Sequence, residues 1–205
     1  MKPNKSIQTL QPIHDLLANR WSPRAFDATK KISREQIVSM IEAARWAPSC
    51  FGDEPWRYIV WDKHTDAAAW QKAFDCLGPS NQVWVKNSSV LFASIANTIF
   101  DHKPDAANRF AQHDTGAASM ALVLQAEALG LVTHQMGGFD AAKLRVAFSI
   151  PEPFTPMAMI AVGYQADADI LEGDYQTREL APRARKPIES RFFENGWATP
   201  IKTNL

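Results

Sequence analysis

Residues 89–96 read Ser-Val-Leu-Phe-Ala-Ser-Ile-Ala, and their apolar side chains do not alternate cleanly with polar ones. A strand with that pattern is expected to be buried on both faces. Arg57–Trp61 (RYIVW) is a second strand by its aromatic and β-branched content. Before it, Ser33-Arg34-Glu35-Gln36 has capping-box form. Ile37, Met40, Ile41 and Ala44 then follow at i, i+3, i+4 and i+7, one apolar stripe of a helix that Pro48 ends. Thr65–Cys76 is expected to be helical with Thr65 as its cap, and Ile13–Leu17 is a short helix stopping before Arg20. Downstream, a long helix is expected from about Ala106 to Leu129, ended by Gly130. Its second half, GAASMALVLQAEALG, is apolar nearly all round and belongs at the domain centre or in a subunit interface. Leu131–His134 is a third strand, Asp140 caps a short helix through Phe148, and Met157–Tyr164 is the last strand. About four strands and five or six helices make a mixed α+β architecture.

The chain has 205 residues, with 22 basic and 22 acidic side chains and no net charge. One domain spanning 1–205 is the expectation at that length, and seven Trp and eleven Phe supply its core. Balanced charge gives no footprint for a nucleic acid or an acidic membrane surface. The most apolar stretches, Val90–Phe100 and Ala117–Leu131, are shorter than the ~20 residues a spanning helix needs. The first residues carry no apolar core of a secretory signal. Cys50 and Cys76 show no metal-ligand or disulfide spacing, so reduced thiols in a cytoplasmic protein are expected. The tail from Gln165 to Leu205 is polar, carries Pro182, Pro187 and Pro200, and shows no strong period. A segment that long is expected to wrap over the domain or a partner subunit.

Four features can carry chemistry. Arg20 and Arg24, with Ser22 between them, and the pair Arg183 and Arg185 can each aim guanidinium groups at a phosphate; the alternative is solvated surface charge. The loop Ala47–Trp56, bracketed by Pro48 and Pro55, joins a good helix to a good strand, where sites often lie. Within it, Cys50 is either a nucleophile with a histidine base or a small buried hydrophobe. Gly137-Gly138 is either a plain strand-to-helix turn or a place where backbone approaches a flat ligand. No GxGxxG or GxxxxGK[ST] is present, so neither a Rossmann site nor a P-loop is written here.

These segments together resemble the nitroreductase family of FMN-dependent oxidoreductases. The pattern R-x-S-x-[RK]-x-F is met by Arg20, Ser22, Arg24 and Phe26, and A-P-S-x-x-N-x-Q-P-W by Ala47-Pro48-Ser49 and Pro55-Trp56. Asp114…Gly116-Ala117-Ala118, Ala128-Leu129-Gly130-Leu131, Gly138-Phe139-Asp140, Ile160–Tyr164 and Arg183–Pro187 follow in family order, from about residue 14 to 190. The resemblance implies a central, mostly antiparallel sheet flanked by helices, and a homodimer with FMN at the subunit interface and a domain-swapped C-terminal tail. It implies that Arg20, Trp21, Ser22 and Arg24 hold the phosphate and ribityl chain, completed by Arg183 and Arg185. Pro48, Ser49 and Cys50 would reach the cofactor of the partner subunit. Asn81, with Gln82 as a second candidate, and Gly137 and Gly138 would meet the flavin ring. Phe51 and Glu54 would lie on the substrate side. Two positions depart from the pattern: the family's Asn is Gly52 and its Gln is Glu54. A third, often acidic, is Gly137.

The implied reaction is ping-pong hydride transfer from NADPH or NADH through flavin N5 to a nitroaromatic, quinone or related small acceptor. The flavin carries the chemistry, so no side chain is named as catalytic and no metal is expected. Three alternatives stay open at this level: another FMN reaction (dehalogenation, flavin fragmentation or enal reduction), a flavin-binding module without turnover, and a hydrolase built on Cys50.

Overall fold

The structure is a computed structural model that describes residues 5–203. Four strands, β1 (Trp56–Asp62), β2 (Val90–Asn97), β5 (Val132–Met136) and β6 (Phe154–Gly163), form an antiparallel sheet in the order β1-β2-β6-β5. Every residue of β2 is buried, as its sequence predicts. Leu91, Ala93 and Ile95 face one core cluster with Phe26, Trp61, Trp70 and Trp84. Val90 and Phe92 face the other, with Ile37, Met40, Leu122 and Val162. The sheet is therefore the middle of three layers.

One outer layer is α2 (Arg34–Arg45) packed on α5 (Ala111–Ala128). The Ser33 box is complete: its hydroxyl accepts from Gln36 N–H, and the Gln36 side chain accepts from Ser33 N–H at 3.0 Å. The other layer contains α3 (Ala67–Phe74), α4 (Pro79–Val85) and α6 (Ala141–Ala147), the last capped by Asp140 as expected. The first short helix, α1, is Asp15–Asn19, two residues later than expected. The cap of α3 is Asp66, whose carboxylate accepts from Ala69 N–H. Thr65 stands one residue before the cap, and its hydroxyl donates to Asp62 at 2.6 Å.

The long helix starts at Ala111 rather than Ala106, because Lys103–Ala107 pairs as β4 with Ile99–Phe100, β3. His113 and Asp114 therefore sit in the first turn of α5, not near its midpoint. The tail contains a helix that its sequence did not announce, α7 (Gly173–Leu180). Up to Arg183 the tail is fastened to its own chain: Tyr175 donates to the Ser80 carbonyl and Arg183 to the Ala18 carbonyl. Beyond it, Phe192 and Trp197 are exposed.

Candidate functional site

The loop from Arg20 to Arg24 leaves α1 and is gripped from two sides. On one side His134 of β5 donates from Nδ1 to the Pro23 carbonyl at 3.0 Å, while its ring packs on Trp84 of α4, centroids 4.5 Å apart. Burial, ahead of the nearby Arg24 and Arg20 charges, brings the His134 pKa down to about 4. The ring is therefore a neutral donor at physiological pH. On the other side is Glu179 of α7, fully buried. Its carboxylate accepts from Arg24 N–H at 2.9 and 3.0 Å and from Ala25 N–H at 3.0 Å. Burial pushes that carboxyl's pKa up, and the two backbone donors and the Arg24 and Lys5 charges oppose the rise.

This grip brings Arg20 to Arg183 and Arg185 across more than 160 positions of sequence, while Arg24 is not among the residues lining the cavity those three share. Arg20, Arg183 and Arg185 line one cavity of about 660 Å³ beside α1 and the segment 6–9. Burial, and then the neighbouring charges, push the pKa of both Arg20 and Arg183 down; Arg185 acts on both. Glu127 of α5 is the acid that acts on this pair from the core side. Arg183 also donates to the Lys5 and Ala18 carbonyls, so part of its donor set holds the chain ends together. Arg20 donates to Ser22 Oγ at 3.4 Å, and the Trp21 ring lies under Lys5 Nζ at 4.5 Å.

The Gly137-Gly138 turn meets the start of α4. Gly138's carbonyl accepts from Gly78 N–H at 2.8 Å and from Asn81 Nδ2 at 3.0 Å. A Cβ at Gly138 would sit 2.8 Å from Asn81 Nδ2, so any side chain here displaces the Asn81 amide from its contact with the Gly138 carbonyl. Gly137 has open space on its Cβ side. Gln82 is differently placed: its amide nitrogen donates to the Leu77 and Phe74 carbonyls, which ties down the end of α3. Because α4 carries Trp84 against His134, the Asn81–Gly138 turn and the arginine loop belong to one packed unit.

The loop that carries Pro48, Ser49, Cys50, Phe51 and Glu54 lies elsewhere. No hydrogen bond among the described residues links it to the arginine loop or to the glycine turn. It is bent hard: Phe51, Gly52 and Glu54 have φ of 57°, 66° and 45°. Three contacts hold the bend. Cys50 N–H donates to the buried Asp114 carboxylate at 2.9 Å, and Glu54 N–H to Ser49 Oγ at 3.0 Å. The buried Asp53 accepts from His102 Nδ1, from Asp101 N–H and from Asn108 Nδ2. Burial pushes the Asp53 pKa up, but those donors outweigh it and hold the carboxyl below its ordinary value. Among the described residues no histidine hydrogen-bonds Cys50, so no Cys–His pair is assembled for a hydrolase. No group of three metal-ligating side chains occurs among the described residues, and no helix there is long and apolar enough to cross a membrane.

Of Asp53, His102, Asp114 and Glu179, sequence named only Asp114. Asp114 lay inside a family match, and the other three carried no local signal.

Comparison with known proteins completes this picture. A solved structure described as the oxidoreductase containing FMN is 33% identical and superposes with a TM-score of 0.89, covering 97% of this chain and 100% of that one. The oxygen-insensitive NAD(P)H nitroreductase of Salmonella typhimurium is 24% identical over 85% of this chain and 95% of its own length. An uncharacterised 15.4 kDa protein of Mycolicibacterium smegmatis is 33% identical over 93 residues, 45% of this chain and 63% of that protein. The sequence profile of the nitroreductase family matches residues 17–164, most of the sheet and both helical layers, and this chain belongs to that family.

Proposed function

We propose that the chain is an FMN-dependent oxidoreductase that takes reducing equivalents from NADPH or NADH and passes them to a small electrophilic acceptor, a quinone or a nitroaromatic. The observation that carries this reading is the convergence of Arg20, Arg183 and Arg185 on one cavity. Three guanidinium groups around one cavity form a site that a dianion stabilises, and a phosphate accepts their planar forks bidentately. The residues present therefore fit the phosphate of FMN. Ser22 and Arg24 extend the same loop toward the ribityl chain, and Trp21 packs beside it. The Asn81–Gly138 turn would hold the flavin ring, with the Cβ side of Gly137 open to a flat ligand; Gln82 would serve from behind by tying down the end of α3. When bound, FMN supplies the two-electron chemistry, and the protein orients it and excludes water.

The site is completed by a second copy. Pro48, Ser49 and Cys50 stand apart from the arginine cavity within one chain, so they reach the cofactor of the partner subunit. The face for such a partner is available on α2 and α5. Trp46 is 76% exposed and Val38 47% exposed, and beside them a cavity runs along Ala43 and Gln125. Exposed apolar surface of that kind marks an association site. The exposure of Phe192 and Trp197 in the segment past Arg183 supports a tail that lies across the partner.

The test is the visible spectrum of the purified protein, followed by anaerobic addition of NADPH and then NADH. A flavin spectrum that bleaches with either supports the proposal and names the donor. A colourless protein that also fails to take up added FMN overturns it, and a bound flavin that neither nicotinamide bleaches leaves a binding module.

A further inference from the structure

Beside the strained loop is a second cavity, of about 580 Å³, lined by Phe51, Gly52, Glu54, Trp56, Arg57 and His102. Three rings frame it. Phe51 stands 6.1 Å from Phe100 and 5.4 Å from His102, and Phe100 stands 5.0 Å from His102. Phe51 is 82% exposed while holding a left-handed backbone. Exposure and strain together in one aromatic residue are costly, and such costs concentrate where a ligand is clamped.

The histidine is set by its partner. The Asp53 side chain is 2% exposed and accepts from His102 Nδ1 at 2.9 Å. An ionised carboxylate only accepts, so Nδ1 carries the hydrogen. Nε2 then lies on the opposite edge of a ring whose side chain is 42% exposed, with no partner among the described residues. A carboxylate that fixes tautomer and orientation while the far nitrogen meets the substrate is the arrangement of a proton-transfer histidine. Tethering the hairpin does not require it, because Asp101 N–H and Asn108 Nδ2 already bind Asp53. The charged groups facing the ring are Asp53, Glu54, Asp101 and Arg57, with Arg57 paired to Asp101 at 3.2 Å.

We propose that His102, positioned by Asp53, donates a proton to a quinone-class acceptor held against Phe51 in this cavity. The inference rests on the oxidoreductase reading above, taken with the substrate-side position that the family resemblance implies for Phe51. The balance is as follows. One quinone oxygen would receive a hydride equivalent, two electrons and one hydrogen, which is the chemistry that reduced FMN supplies when bound. The ring becomes aromatic, and the opposite oxygen becomes a phenolate. That oxygen takes the proton from Nε2–H of the protonated imidazole, giving the hydroquinone and a neutral histidine. Solvent reprotonates Nε2 at its exposed edge.

The experiment compares the holoenzyme with His102→Gln and Asp53→Asn, using benzoquinone and ferricyanide as acceptors. Ferricyanide takes single electrons and needs no proton, so the ratio of the two rates isolates the proposed step. That ratio is expected to fall about 100-fold in His102→Gln, the scale of general acid catalysis. The decline of the wild-type quinone rate at high pH is expected to vanish with it. Hydroquinone titrated into the oxidised holoenzyme is expected to move the His102 ring resonance, and Phe51→Ala to abolish that shift. Because His102 is on the surface, folding is monitored by retained flavin content, and Asp53→Asn serves only as the second variant. An unchanged rate ratio and pH profile in a flavin-loaded His102→Gln protein that NAD(P)H still bleaches overturns the dyad while sparing the oxidoreductase reading. A flavin that NAD(P)H does not bleach overturns that reading and the dyad's role with it.

Discussion

Lowering the pH from 7.5 to 5 should destabilise this fold through a single side chain, His134. The ring is buried and neutral between the Pro23 carbonyl and Trp84. Bringing its pKa from an ordinary value of 6.5 down to about 4 corresponds to a preference of about 3 kcal/mol for the neutral form in the folded state. The sign follows from which state binds the proton. Above pH 6.5 neither state is protonated and the fold keeps its full stability. As pH falls below 6.5 the unfolded chain takes up a proton that the folded ring refuses until about pH 4. Stability is therefore lost across that window, by about 2 kcal/mol at pH 5.

Other groups titrate in the same range, so the informative quantity is a difference of differences. Urea unfolding of the wild type and of His134→Gln is measured at pH 7.5 and pH 5, with FMN at one fixed concentration because a bound ligand adds to apparent stability. The variant is less stable at both pH values, having lost the packing on Trp84. Its loss between the two pH values should be smaller than the wild type's by about 2 kcal/mol. Parallel losses in the two proteins would refute the assignment of a neutral, buried ring. The same ring holds the loop of Arg20 and Arg24, so acid should weaken FMN binding before global unfolding begins.

Substitutions at three glycines read particular contacts. Gly138→Ala places a Cβ 2.8 Å from Asn81 Nδ2; the amide can swing away, so thermal unfolding should register only about 1 kcal/mol, while flavin fluorescence should report a FMN dissociation constant about tenfold higher, the equivalent of one lost hydrogen-bonded contact. Gly163→Ala places a Cβ 2.7 Å from Cδ1 of the fully buried Phe26, a rigid neighbour in the core, and should cost about 1–3 kcal/mol in urea unfolding by overpacking. Gly52→Asn should fold with stability unchanged to within about 0.5 kcal/mol, because its Cβ meets nothing within 4 Å and Asn tolerates a left-handed φ; Gly52→Val, strained at that φ, should lose about 1–2 kcal/mol.

What the sequence made legible is what local chemistry decides. The Ser33 box needs only four consecutive residues, and the burial of β2 needs only its own eight. Legibility failed where two local answers competed or where the deciding partner was distant. Thr65 and Asp66 are both good caps, and it is Asp66 that accepts from Ala69 N–H while Thr65 donates to Asp62. Lys103-Pro104-Asp105 has no strand propensity and becomes β4 because β3 is beside it. The helix α7 reverses the usual sign of amphipathicity, since its buried side chain is the charged Glu179. At the site, the arginine pairs were suggestive as sequence, and only the order of family motifs tied them to one ligand. Asp53 and His102 stand 49 positions apart, and nothing in either neighbourhood points to the other.

The loop at 49–54 shows why the departures from the family pattern are tolerable. Gly52 replaces the family's Asn at φ 66°. Asn and Gly are the residue types that visit this region most readily, so the exchange keeps the bend and gives up only the amide. Phe51 and Glu54 have no such excuse, and left-handed backbone costs non-glycine residues about 1–3 kcal/mol each. That cost persists because the surroundings over-determine the loop. A hydrogen bond to a buried carboxylate contributes about 1.5–3 kcal/mol, and this loop has two such anchors, Asp114 on α5 for Cys50 N–H and Asp53 against the β3–β4 hairpin. Both carboxylates also bind a histidine with an exposed ring, His113 and His102. The bend is thus held from the core side by two buried carboxyl groups and turned outward at Phe51. A loop built only to connect α2 with β1 would have relaxed; one held in this way presents an aromatic ring at a fixed place, as the proposed substrate-side role requires.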